Sequence, residues 1–396
     1  MSNAQELLAG SYELDRQNPI EPLRVLIVTE SFLPQVNGVT NSVCRVASFL
    51  RARGHTVRII APTKPDVYED AEVSRVSGVN LPAYRQFRVG LPSSRRLRRI
   101  ADEFAPDVVH VASPFGFGAV ALRALKHLPT LAVYQTDIAG YAKRYRLNLL
   151  ADWCETRLER IHRSANVTLA PSHESRAAFA DSGVDAHYWG RGVDLEQFRP
   201  AKRSEELHER LRGDRRLVVG YVGRLSLEKE LEQLRAVSRI PDAQLVIVGD
   251  GPVRSRLEAR LPEAIFTGVR GGDELAELHA TFDVFVNPCS TETFCQAAQE
   301  ALASGTPVVG PNAGGMRDRV KHRETGLLTR PGSASSLASA VEELVSDDAL
   351  RLRLRSNARD VSDLRSWDEL GEELEEHYRD LVASNAHRGR SAPAWI

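Results

Sequence analysis

The chain has no apolar run approaching the roughly 20 residues a helix needs to cross a bilayer. It has no internal repeat and no low-complexity tract. Its four cysteines (Cys44, Cys154, Cys289 and Cys295) are dispersed, with no C-x-x-C pair and no zinc spacing. That pattern argues against a disulfide framework or a zinc module and for a reduced, cytoplasmic protein. Charge of one sign is also lacking: the formal net charge is −1, so no global field draws the chain to nucleic acid or acidic lipid. The segment 1–23 carries acids where a signal peptide needs a basic patch and an apolar core, and is expected to be a polar lead-in.

What is present is length and alternation. A chain of 396 residues is too long for one ordinary core and suits two domains of roughly 150–200 residues. Arg24-Val-Leu-Ile-Val-Thr-Glu30 has the near-continuous apolar run of a strand buried on both faces. It begins a series of strands, with others near Thr56, Asp107, Leu131 and Val167, interleaved with helical stretches. A polar segment around residue 200 breaks the rhythm. A fresh cycle then starts at Leu217 and continues at Gln244, Ala264, Asp283 and Pro307. Regular β–α alternation predicts doubly wound parallel sheets, hence an α/β chain of two Rossmann-like domains, 24–199 and 200–365. A last helix over 366–386 follows the second sheet and is expected to return to the first domain, ahead of a flexible tail, 387–396.

The densest chemistry lies in Asn287–Glu300, NPCSTETFCQAAQE. Glu292 and Glu300, with seven residues between them, straddle the passage from a strand to a helix. The carboxyl end of such a strand is where open α/β sheets bind ligands. With one acid in the loop and one inside the helix, the two reach different parts of an extended ligand rather than sharing a proton. The helix N-terminus between them suits a phosphate. Tyr221-Val-Gly-Arg-Leu-Ser-Leu-Glu-Lys229 predicts a strand, a turn at Gly223 and a helix, bringing Arg224 and Lys229 to the turn. Two fixed cations there would neutralise a diphosphate, against the plain reading of a solvated basic loop.

Three further loops end strands. Val248-Gly-Asp-Gly251-Pro is not G-x-G-x-x-G, so a nicotinamide site is disfavoured. A turn near a nucleotide and a plain structural turn both remain open for it. Gly38, just before the first helix, permits close approach of a phosphate or sugar. Tyr134-Gln-Thr-Asp137 places an acid where it can accept hydrogen bonds from hydroxyls, or cap the next segment. His110, within a strand, reads as structural. Arg85–Arg99 is a dense basic run whose second half can form a helix with Leu97, Ile100 and Phe104 on one face. A solvated face is the default reading, and weak peripheral contact with anionic membrane the minority one.

Together these blocks resemble the GT-B glycosyltransferases of family 4, retaining nucleotide-sugar enzymes, along nearly the whole chain. The matching blocks are ESFLPQVNGVTNSV, ASPFGFG, YQTD, LAPS, RGVD, VGRLSLEK, VGDGP and TETFCQAAQEALASGTPVVGPNAGG. Within the family the similarity points to actinobacterial GDP-mannose-dependent α-mannosyltransferases and sulfoquinovosyltransferases. The resemblance implies an interdomain cleft with the acceptor on the first domain and the nucleotide sugar on the second. It implies that Arg224 and Lys229 hold the diphosphate and that Gly38, with Gly223 and Gly251, lines the donor. Glu300 would bind the ribose, and Glu292, with the backbone of Thr293, Phe294 and Cys295, the transferred sugar. Val269 and Arg270 would meet the base through their backbone, and Asp137 would lie near the sugar.

One position departs from the pattern: many members carry histidine where this chain has Gln135. Glutamine exchanges no proton, so acid–base chemistry is excluded there. The front-face mechanism usually assigned to the family needs only a hydrogen bond at that place, and makes no covalent nucleophile of Glu292. No D-x-D pair is present, so no metal and no other cofactor is expected, and Arg224 and Lys229 would supply the positive charge. The resulting expectation is a retaining hexosyltransferase, with mannose from GDP-mannose favoured. Its acceptor would be a hydroxyl on a lipid-linked, glycan or small polar molecule. Two alternatives stand beside it: a natural-product transferase using a UDP- or other NDP-sugar, and a non-catalytic nucleotide-sugar-binding protein.

Overall fold

A computed structural model describes residues 21–35, 37–81, 84–91, 93–135, 148–360 and 363–390. They fall into two compact units. The first draws on the described residues of 21–135, 148–191 and 367–390, and the second on those of 192–366.

Among the described residues of the first unit, seven strands form a parallel sheet. Their order is Glu72–Arg75, Thr56–Ala61, Arg24–Thr29, Val108–Ala112, Thr130–Val133, Val167–Ala170 and Ala186–Tyr188. The central strand has both faces covered, and Val25, Leu26, Ile27 and Val28 are all fully buried. This is why its sequence is continuously apolar rather than alternating. The second unit repeats the plan with six parallel strands among its described residues. They run Ile265–Gly268, Ala243–Val248, Leu217–Val222, Val284–Val286, Val308–Pro311 and Gly326–Thr329. In each sheet the first strand in the sequence lies inside the sheet, and the strand order reverses beside it.

The basic run divides into two elements. Tyr84–Gly90 pairs antiparallel with Gly78–Leu81, and Ser94–Phe104 is a helix that buries Leu97, Ile100 and Phe104. Arg95, Arg96, Arg98 and Arg99 stand exposed on the opposite face, as expected of a solvated charged stripe. No helix among the described residues is long and apolar enough to cross a membrane.

The last helix, Trp367–Arg390, packs on the first unit. Leu370, Leu374, Tyr378 and Leu381 recur at helical spacing and are buried, each contributing roughly 1.5–3 kcal/mol by removal from water. Gly371 lets the Gly38–Ala52 helix come close, since a Cβ there would overlap the Phe49 ring. Two buried hydrogen bonds set the register: Trp189 Nε1 donates to the Leu370 carbonyl at 3.0 Å, and Tyr378 Oη meets His110 Nδ1 at 2.6 Å. His110 is therefore a structural residue.

Burial pushes His110 and His162 down from 6.5 to about 3, so both are neutral in the folded protein. The unfolded chain takes up those two protons once the pH drops below 6.5, and the folded protein does not until about 3. The unfolded state then binds more protons, and stability falls with pH across that window. Urea midpoints should decline steadily from pH 7 to pH 4, and less steeply in His162→Phe. An equal decline in the variant would show that His162 is not responsible.

Candidate active site

Between Leu217–Val222 and Val284–Val286 the strand order of the second sheet reverses. Loops leaving the carboxyl ends of two such strands diverge and open a crevice. Arg224 and Lys229 follow the first strand and Glu292 follows the second. Lys229 Nζ lies 2.6 Å from Glu292 Oε1, with both side chains 18 % exposed. Arg224 is exposed nearby in sequence, and its carbonyl accepts from the buried Tyr221 hydroxyl at 3.3 Å.

The segment carrying Lys229 is not the regular helix expected from its sequence. Leu227–Lys229 is one 3₁₀ turn, Glu230 turns left-handed with φ 55°, and Leu231–Gln233 is a second 3₁₀ turn. Side-chain bonds hold this irregular path. The Glu230 carboxylate is nearly fully buried and accepts from the Ser290 N–H (3.2 Å), the Ser290 hydroxyl and Gln233 Nε2 (2.7 Å). The Cys289 thiol donates to the Glu228 carbonyl at 3.3 Å, and burial, which pushes it up to about 12, keeps it a thiol. Both loops are thus fixed to each other beneath the ion pair.

Glu292 sits on a loop shaped from within and from behind. Asn287 accepts from the Cys289 N–H at 2.8 Å and donates to Cys295 Sγ at 2.9 Å. Cys295 caps the Gln296–Ala303 helix in a left-handed conformation, φ 67°. Phe294 is buried under the Arg319 guanidinium, 4.8 Å from its ring centre. Behind the loop, Gly314 has φ 55° and any Cβ there would strike the Glu292 carbonyl. Gly315 presses against the Thr293–Phe294 backbone and donates its N–H to the Glu292 carbonyl at 2.7 Å. Glu300 lies in the following helix with its side chain 13 % exposed, and His279 Nε2 is 3.6 Å from Oε2.

The two glycine turns meet each other. The Leu225 N–H donates to the Asp250 carbonyl at 2.9 Å and the Gly223 N–H to Val248 at 3.0 Å. A Cβ on Gly251 would overlap the Leu225 carbonyl, so close backbone packing requires a glycine there. Val269, 68 % exposed, and Arg270, facing Glu274 at 3.6 Å, follow the edge strand that ends at Gly268.

In the first unit, Gly38 begins its helix, and Asn37 caps it by accepting from the Val39 and Thr40 N–H groups, both at 3.0 Å. Gln135 is buried and donates from Nε2 to Ser42 Oγ of that helix at 3.1 Å. Asp137 lies outside the described residues. Among the described residues no group of three or more His, Cys, Asp or Glu could hold a metal ion.

Several residues here escaped the sequence reading. Glu30 is partly buried just past the end of the central strand, where it accepts from the Phe115, Gly116 and Gly118 N–H groups at 2.8, 2.6 and 3.1 Å. Burial raises its carboxyl, and those bonds and Arg157 oppose the rise. Arg191 brings a buried guanidinium to the Gly38 backbone, where a Cβ would come within 2.5 Å of Nη1. The only signals for these were an acid closing an apolar strand and an arginine in the RGVD block. Gly314 and Gly315 could have been found as paired glycines after a strand. His279 had no signal at all.

The family model described as Glycosyltransferase Family 4 matches residues 36–197, and that of Glycosyl transferases group 1 matches 203–361. A GDP-mannose-dependent alpha-mannosyltransferase of Corynebacterium glutamicum is 42 % identical over 92 % of this chain and 90 % of its own. Its namesake from Mycobacterium tuberculosis is 44 % identical over 90 % of this chain and 96 % of its own. Sucrose-phosphate synthase of Thermosynechococcus elongatus superposes with a TM-score of 0.76 at 23 % identity, covering 91 % of this chain and all of that one. The fold is thereby GT-B.

Gly314→Ala should displace the Glu292 loop, because the left-handed backbone and the Glu292 carbonyl both oppose a Cβ. A loss of about 1–3 kcal/mol in stability, with a matching fall in turnover, is the expected outcome of urea titration and steady-state assay. Wild-type values in both would show that this glycine does not shape the loop.

Proposed function

This chain belongs to glycosyltransferase family 4, and from that premise we propose that it moves mannose from GDP-mannose to an acceptor hydroxyl with retention of configuration. The two mannosyltransferases similar to it across nearly the whole chain support this donor. The single observation that carries the site assignment is the Lys229–Glu292 contact at 2.6 Å.

A lysine ammonium has three N–H donors, so Lys229 can hold Glu292 and a diphosphate oxygen at once. Glu292 retains its second oxygen for a hydroxyl of the transferred mannose. The pair therefore links the leaving group to the sugar whose bond breaks. The acceptor hydroxyl attacks the anomeric carbon on the face the diphosphate leaves, and a phosphate oxygen of the departing GDP takes the hydroxyl proton. Negative charge grows on the diphosphate as the glycosidic bond breaks, and Lys229 and Arg224 stabilise it. Glu300 takes the ribose hydroxyls, and the backbone at Val269 and Arg270 the base. The backbone of Thr293, Phe294 and Cys295 lies alongside the sugar. On the first unit Gly38 is assigned to the donor, Asp137 to the sugar and Gln135 to a hydrogen bond in the acceptor step. Gln135 is already oriented by Ser42.

Transfer should be measured with labelled GDP-mannose beside UDP-, ADP- and dTDP-sugars, each against lipid-linked, glycan and small polyol acceptors. Preference for GDP-mannose is the expected result, and preference for another nucleotide would overturn the donor assignment. Lys229→Ala should lower kcat/KM by about 10²–10³, the loss typical of one transition-state charge donor. An effect below about threefold would remove Lys229 from the reaction.

A further inference from the structure

Behind Glu300 lies a histidine that no motif announces. His279, on the helix Gly272–Thr281, is fully buried. Its ring lies edge-on to Phe198 and Phe282, with centroids 5.6 and 6.1 Å away, and tilts against Phe285 at 5.6 Å. Among the described residues neither ring nitrogen has a hydrogen-bond partner. A neutral imidazole always carries one N–H, and a buried donor left unpaired is costly. The polar group it faces is Glu300: Nε2 stands 3.6 Å from Oε2, just beyond hydrogen-bond length. The backbone of His279 cannot be the part that yields easily, because the Thr306 hydroxyl holds its carbonyl at 2.6 Å. A few tenths of an ångström of movement by the carboxylate closes the gap.

We propose that His279 is the positioning residue for the ribose of the nucleotide donor. Its Nε2–H closes on Glu300 Oε2 as the ribose hydroxyls engage Oε1. This rests on the reading of Glu300 as the ribose-binding carboxylate. The aromatic cage supplies no competing acceptor and keeps water from the bond, so the N–H selects one orientation of the carboxylate. A carboxylate already oriented loses less rotational freedom when the nucleotide binds. Cations lie close by on other elements: Arg203 and Arg355 donate to the Ala280 carbonyl, and Arg359 to those of Phe198 and Ala303. The role is that of a hydrogen-bond donor.

His279→Phe keeps an aromatic ring in an aromatic cage and removes only the donor. GDP affinity by calorimetry should fall about tenfold and donor KM should rise alike, while kcat stays within about twofold. The preference of the wild type for GDP over 2′,3′-dideoxy-GDP should shrink by the same factor. A packing role would not produce that change. In a Glu300→Ala background, His279→Phe should have no further effect on GDP binding. If Glu300→Ala weakens GDP and His279→Phe does not, the proposal falls and the ribose assignment stands. If Glu300→Ala binds GDP like the wild type, the ribose assignment itself falls. Should the phenylalanine variant melt below the assay temperature, His279→Gln and His279→Leu give the same contrast. The amide must hold GDP about threefold tighter than the leucine, and equal affinity overturns the proposal.

Discussion

Lys229 and Glu292 meet because two parallel strands run side by side in opposite directions of sheet growth. The chain winds outward one way from Leu217–Val222 and the other way from Val284–Val286. Only at that reversal do consecutive carboxyl-end loops face each other without a crossover helix between them. A half-buried ammonium and a half-buried carboxylate then hold each other at 2.6 Å. Each charge would be poorly placed alone, since burial without a partner costs more than the pair returns. The rest of the second unit's site, with its buried Glu230, its paired glycines and its left-handed Cys295, keeps those two loops at that separation.

The supporting parts differ in kind from the parts they support. Glu230, Asn287, Gly314 and Gly315 fix backbone, and they do so with buried hydrogen bonds or with the absence of a Cβ. Lys229, Glu292 and Glu300 keep partial exposure. The first unit shows the same division. Glu30 fastens the Phe115–Gly118 turn from below, and Ser42 orients Gln135. A hydrogen-bonding glutamine there suits a reaction in which the leaving group, not the side chain, accepts the proton.

How far the sequence could be read follows from what each residue's role depends on. The strands at Arg24 and Leu217 were legible because burial on both faces of a parallel sheet demands a continuous apolar run, which is local. Glu292 and Glu300 were legible because seven intervening residues place one acid in a loop and one in a helix whatever lies around them. The helix assigned after Gly223 was not legible. Its path is bent into two 3₁₀ turns by bonds to Ser290, some 60 positions away. Gly251 was ambiguous for the same reason, since the carbonyl that forbids its side chain belongs to Leu225.

The amino-acid sequence by itself determined the two doubly wound sheets, because the periodicity of apolar runs is local, and its motif blocks carried the resemblance to the family and the two acids of Asn287–Glu300. Only the tertiary structure decided which charges pair, which glycines have no room for a side chain, and that a histidine stands behind Glu300. Those facts depend on distances between segments that the strand order alone brings together. A residue such as His279, set in a helix beside ordinary apolar neighbours, has no local pattern that could reveal it.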